Sequence, residues 1–141
     1  MSALIPFSDI LTSLSNAWNS RNRDECILSV AIPLRGLDPL LYMPIIAQDH
    51  SFRFVWELSP STCCVAAGKS QHIDVTGPKR FELAQRFSDS IFGRLLDVTP
   101  SVPEIALPRI VCACSFFDQI SGRQNNNVHP PLMQAVLPRW Q

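Results

Sequence analysis

Apolar residues recur at three- and four-residue steps near the start of the chain, at Phe7, Ile10, Leu11, Leu14 and Trp18. That spacing predicts an amphipathic helix, with Pro6 tolerated in its first turn. The polar run at residues 19–25 (NSRNRDE) ends it. Cys26 to Leu34 (CILSVAIPL) is continuously apolar and rich in β-branched side chains, which predicts a strand buried on both faces and ended by Pro33 and Gly36. Leu37 to Ala47 reads as a short helix that Pro44 interrupts. From Ser51 to Leu58 the pattern alternates, placing Phe52, Phe54 and Trp56 on one face of a strand and Arg53, Val55 and Glu57 on the other. Ser59, Pro60 and Ser61 form a turn. Cys63 to Gly68 and Gln71 to Val75 then read as a hairpin pivoting near Gly68 and Lys69, so that three antiparallel strands follow one another.

The strongest helical pattern follows: Phe81, Ala84, Phe87, Ile91 and Leu95 form one stripe, with Glu82, Arg86 and Asp89 on other faces. Gly77 is the expected N-cap and Pro78 the first helical residue. Prolines 100, 103 and 108 make an extended connector into Arg109 to Phe117 (RIVCACSFF), a second buried strand. Gly122 to Pro130 reads as a surface loop, and Leu132 to Trp140 (LMQAVLPRW) as a last strand followed only by Gln141. With nothing after it, this strand is expected to lack a partner on at least one side and to leave an open apolar edge, as though a larger domain were incomplete. Strand runs mixed with two long helices, without regular alternation, predict an α+β fold. No internal repeat or low-complexity tract is present.

Composition narrows the possibilities. At 141 residues the chain holds one domain or a large piece of one. Twelve basic residues balance twelve acidic ones, so no strong field argues for nucleic acid or an anionic membrane surface. Charged residues make up 17% and apolar residues 46%, against about a quarter charged in ordinary domains, a balance that suits burial against more protein. No apolar run approaches the ~20 residues that span a bilayer. The opening stretch has no basic leader and carries Asp9 among its apolar residues, so it is not a signal peptide and a cytoplasmic location is expected. Five cysteines, Cys26, Cys63, Cys64, Cys112 and Cys114, are then expected as free thiols. Cys112 and Cys114 share one strand face and could touch a soft metal, but no neighbour completes a tetrahedral set; core packing is the preferred reading.

Candidate chemistry is sparse. Gly68, Lys69 and Ser70 imitate the end of a phosphate-binding loop, but Cys63 stands where that motif needs glycine and the following residues are β-prone. Lys79 and Arg80 lie in the first turn of a predicted helix, where amide hydrogens and the helix dipole could help them hold a carboxylate. The competing and preferred reading leaves both solvated, with the Arg80 stem packed on the sheet. His50, His72 and His129 are scattered, and His72 reads as a surface residue. The four glutamates, Glu25, Glu57, Glu82 and Glu104, are isolated, so no magnesium-holding cluster is indicated.

The string FRFVWELSPSTCCVAAGKSQHIDVTGPKRFELAQRF, followed by PRIVCACSFFDQ and QAVLPRWQ, resembles the N-terminal portion of the isochorismate synthases. These belong to the chorismate-utilising enzyme family, with anthranilate, aminodeoxychorismate and salicylate synthases. The likeness rests on an aromatic strand reaching Trp56 and Glu57, a small-residue strand ending Ala66, Ala67, Gly68, a helix entered through Arg80 and Phe81, a strand with Ser115, Phe116 and Phe117, and a strand carrying Leu137, Pro138 and Arg139. It covers Cys26 to Gln141. The resemblance implies part of a large α+β domain, with antiparallel sheets packed together and helices outside. In that family a lysine activates water for attack at C2 of chorismate, a glutamate protonates the departing C4 hydroxyl, and further glutamates hold magnesium, in a reaction that feeds menaquinone or phylloquinone synthesis. Those motifs lie in the family's later sequence, and neither Lys69 nor Lys79 stands in the base motif. The resemblance thus implies no catalytic, cofactor or metal residue here, and no activity on chorismate without the remaining part. The implied partner is a separate catalytic half, or another copy of the chain, joined through the edge at Leu132 to Trp140; the alternative is a non-catalytic interaction module using the same edge.

Overall fold

The computed structural model describes residues 7–19, 26–33, 38–59, 62–99, 103–116 and 132–141. The polar run at 20–25, the loop Gly122 to Pro130, and Phe117 and His129 fall outside the described residues. The chain divides into two compact units: Met1–Gly36 with Asp89–Pro108, and Leu37–Ser88 with Arg109–Gln141.

In the first unit, α1 (Phe7–Asn19) forms where the apolar spacing predicts it. Only part of its stripe is covered: Ile10 is buried, while Leu11 and Trp18 are exposed. The apolar run after it gives a much shorter strand than expected, β1 (Ile27–Ser29), half-buried throughout. It pairs with a single neighbour, the parallel strand made by Leu95–Asp97, Ile27 opposite Leu95 and Ser29 opposite Asp97, which leaves its other edge without a strand partner among the described residues. Beyond Ser29 the backbone is held by a side chain instead, the Thr99 hydroxyl accepting from the Ala31 amide at 2.8 Å.

In the second unit, α2 (Pro39–Ile46) starts on Asp38, whose Oδ1 accepts the Leu40 amide at 2.9 Å, with Pro39 in the first turn. Pro44 does not interrupt it: the helix runs on to Ile46, and Ala47 still donates to Met43. The strand β2 (Arg53–Ser59) alternates as the sequence predicts, and Phe54 and Trp56 meet edge to face at 6.4 Å.

The predicted hairpin does not exist. Thr62–Val75 is one continuous strand of 14 residues, β3. Gly68 adopts φ +69°, and the register slips between Lys69 and Gln71, so the glycine and its neighbours make a bulge within the strand where a turn was expected. The bulge lets one strand serve two partners. Its first half pairs with β2, Val55 opposite Val65, and its second half pairs with the last strand of the chain.

After Gly77, itself at φ +85°, a turn through Pro78 and Lys79 leads into α3 (Arg80–Arg94). Gly77 is therefore not an N-cap in extended conformation and Pro78 is not helical; the first helical bond runs from Leu83 to the Lys79 carbonyl. Ala84 and Phe87 of the stripe pack against Ile73, Met133, Ala135 and Ile110. Phe81 is exposed, Ile91 is fully buried, and Leu95 leaves the helix to begin the strand Leu95–Asp97, here β4. A single 3-10 turn (Glu104–Ala106) interrupts the proline-rich connector.

Two strands complete the sheet: β5 (Val111–Cys114) and β6 (Met133–Trp140), in the antiparallel order β2-β3-β6-β5. This placement bears on two expectations. β6 is interior over Met133–Val136, paired with β3 on one side and β5 on the other; from Leu137 on, β3 is its one strand partner among the described residues. Its burial follows, with Ala135, Val136 and Leu137 each under 5% exposed. β5 is an edge strand and is not buried: Cys112, Ala113 and Cys114 are exposed, and Phe116 just beyond is 99% exposed. The fold is α+β, helices and a curled antiparallel sheet, as the sequence predicts.

Candidate functional site

Residues directly opposite each other in a sheet share a face, so the register carries one face across all four strands. Arg53 lies opposite Ala67, Lys69 opposite Pro138, Val136 opposite both His72 and Val111, and Gln134 opposite both Asp74 and Ala113. Because the sheet curls, this face closes partly on itself and forms a groove of about 360 Å³. Arg53 and Phe54 of β2, Lys69 of β3, Gln134 of β6 and Val111 to Ala113 of β5 line it, with Ser51 and Phe52 at the entrance to β2.

Two of its polar groups are already engaged. Arg53 donates from Nε to the His50 carbonyl at 3.4 Å and from Nη2 to the Ala47 carbonyl at 3.3 Å, tying the end of α2 to the sheet. Gln134 donates from Nε2 to Asp74 Oδ1 at 2.6 Å. Lys69, raised by the bulge, is exposed over the groove with no hydrogen-bond or ion-pair partner among the described residues. On the opposite face of β5 from Val111 and Ala113, the Cys112 thiol is a poor nucleophile, because partial burial, and then the neighbouring Cys114, push it above its ordinary value.

The residues singled out by sequence do not converge. Lys69 sits mid-strand, which removes the phosphate-loop reading and also the hairpin turn that competed with it. Lys79 is exposed. Arg80 is 4% exposed, so it is not solvated; its guanidinium carbon lies 4.7 Å from the centre of the Phe81 ring. His50 packs over Gly68, and His72 is exposed on β3, as expected. Glu57, Glu82 and Glu104 stand on β2, α3 and the 3-10 turn. Glu82 pairs with Arg86 one helical turn on. Among the described residues no three of His, Cys, Asp or Glu come together to hold a metal ion. Sequence reasoning missed the Asp74–Gln134 bond and the groove itself, since both depend on pairing strands 60 residues apart. No helix among the described residues is long and apolar enough to cross a membrane.

A family model described as chorismate binding enzyme matches residues 12–141. The chain belongs to the chorismate-binding enzyme family. Comparison with individual curated proteins and with solved structures gives no match. Membership points to chorismate-utilising chemistry, and the segments that resemble the family fall on the sheet and its helix: Trp56 and Glu57 in β2, Ala66 to Gly68 at the bulge of β3, Arg80 and Phe81 opening α3, and Leu137 to Arg139 in β6.

Proposed function

We propose that residues 1–141 form the N-terminal, scaffold-building part of an isochorismate synthase-type enzyme, and that the chain turns over no chorismate by itself. The family match over residues 12–141 carries this reading. The isochorismate branch is favoured by the string from Phe52 to Phe87 and by the segments around Ser115 and Leu137. In the full reaction a hydroxyl is relocated on chorismate with magnesium, on the way to menaquinone or phylloquinone. The base, the acid and the magnesium ligands belong to the part of the family sequence that these residues do not resemble. Lys69, Lys79, Glu57 and Glu82 lie on different elements, which supports a scaffold over an active centre.

A second reading is a split-enzyme subunit that docks on a separate catalytic chain. It draws on β5, which has no strand partner on its outer side among the described residues and carries no lysine, proline or bulge to discourage pairing along Val111–Cys114. Incubation of the purified chain with chorismate and magnesium, followed by chromatography, is expected to give no isochorismate. Turnover that survives repurification and scales with the chain would refute the proposal. Addition of the catalytic part of an isochorismate synthase is expected to restore turnover, and formation of anthranilate in place of isochorismate would move the chain to another branch.

A further inference from the structure

Cys112 and Cys114 are the one feature of the sequence that neither the fold nor chorismate chemistry absorbs. Core packing does not explain them, because both side chains are exposed on the edge strand β5. Cys112 lies opposite Ala135 and Cys114 opposite Met133, so the two thiols stand on one face with Ala113 turned to the other. A rise of ~3.3 Å per residue sets their Cα atoms ~6.6 Å apart. That is the far end of the span an unstrained disulfide accepts, ~4.4–6.8 Å. Two metal–sulfur bonds of ~2.3 Å each reach ~4.6 Å between sulfurs, a gap that two side chains leaning toward each other can close. The spacing therefore favours a bridging ion over a sulfur–sulfur bond.

The ligand set selects the ion. Zinc takes four ligands, and no third His, Cys, Asp or Glu joins the pair among the described residues. Thiolates favour soft ions, and copper(I) is the soft ion content with two of them. The cross-strand neighbours Ala135 and Met133 are 0% and 6% exposed, so one side of the pair is apolar and dry while the outer side admits an ion. The remaining cysteines of β3 offer no such pair: Cys63 lies opposite Glu57 and Cys64 opposite Trp56, on opposite faces of the strand.

We propose that Cys112 and Cys114 form a two-thiolate site for a soft monovalent metal ion of the copper(I) class. On binding, each thiol releases its proton to solvent and each sulfur forms one bond to the ion, which stays monovalent; no oxidant or reductant takes part. The test is an anaerobic titration of the fully reduced chain with copper(I) against bicinchoninate. One ion per chain is expected, with two sulfur neighbours by X-ray absorption. Cys112→Ser and Cys114→Ser are each expected to weaken binding about a hundredfold, because a single remaining ligand loses the effective concentration of its tethered partner. Cys26→Ser, Cys63→Ser and Cys64→Ser combined should leave it unchanged. In the wild-type chain, bound copper(I) should shield Cys112 and Cys114, but not Cys63 or Cys64, from alkylation, a readout independent of how any variant folds. Full copper affinity in either single variant, loss of binding in the triple variant, or equal labelling with and without the ion would each overturn the proposal.

Discussion

Replacing Gly68 by alanine tests the bulge on which the sheet depends. At φ +69° an L-residue meets its own carbonyl, which costs about 1–2 kcal/mol. The added methyl would also lie 3.0 Å from His50 Cδ2 and 3.1 Å from Arg139 Cβ. The imidazole can swing away, but the Arg139 Cβ moves only if β6 moves, and overpacking of this kind costs about 1–3 kcal/mol. Together the loss is about 3 kcal/mol, and at roughly 2–4 °C per kcal/mol the melting temperature should fall by roughly 6–12 °C. Two other glycines calibrate the figure. Gly77 has φ +85° but nothing within 4 Å, so Gly77→Ala carries only the backbone term, about 1–2 kcal/mol. Gly93 lies inside α3 with open space around it, so Gly93→Ala should stabilise by about 0.5–1 kcal/mol. Calorimetric or circular-dichroism melts should therefore rank Gly93→Ala above wild type, then Gly77→Ala, then Gly68→Ala. In a His50→Ala background the Gly68→Ala penalty should shrink without vanishing, since Arg139 remains. A Gly68→Ala chain that melts at or above Gly77→Ala would show that the strand does not pass through a left-handed residue there.

Two further outcomes follow from the structure. Alkylation of Cys112 should lag behind a free cysteine peptide at pH 8, because burial and Cys114 raise its pKa and keep thiolate scarce; the lag should close as pH climbs past that raised value, and a rate equal to the peptide's at pH 8 would contradict this environment. Ile91→Ala should cost about 2–5 kcal/mol in a denaturant melt, because the side chain is 0% exposed, whereas Leu41→Ala at 71% exposure should stay within about 0.5 kcal/mol.

Local pattern made the helices and β2 legible. α1, α3 and the alternation of Phe54 and Trp56 with Arg53, Val55 and Glu57 need only periodicity along the chain. What the pattern could not supply is pairing. Gly68 beside Lys69 carries the composition of a turn, and only the arrival of β6 alongside β3 decides that the glycine makes a bulge. For the same reason β5 was expected to be buried: Val111 to Cys114 reads as apolar in isolation, yet its place at the end of the order β2-β3-β6-β5 leaves one side open. The groove was invisible because Lys69 and Gln134 share a face only through that order.

The residues that carry the family resemblance act mainly through packing. Ala66 and Ala67 are 1% and 0% exposed and Leu137 is 4%, so they have no surface on which to meet a substrate. Small side chains at such positions let neighbouring layers approach closely, and replacing them would push the sheet from what covers it. A likeness built on such positions identifies a fold and its family without locating chemistry, which is why membership can be stated while no catalytic residue can be. Other residues of the likeness are exposed: Glu57, Phe81 and Arg139, and most of all the rings of Trp56 on β2, 56% exposed, and Phe116 just past β5, 99% exposed. Rings displayed beside both edges of the sheet, as far as the described residues define them, fit the proposed scaffold role, because exposed aromatic surface next to an unpaired strand is where further protein can be built on.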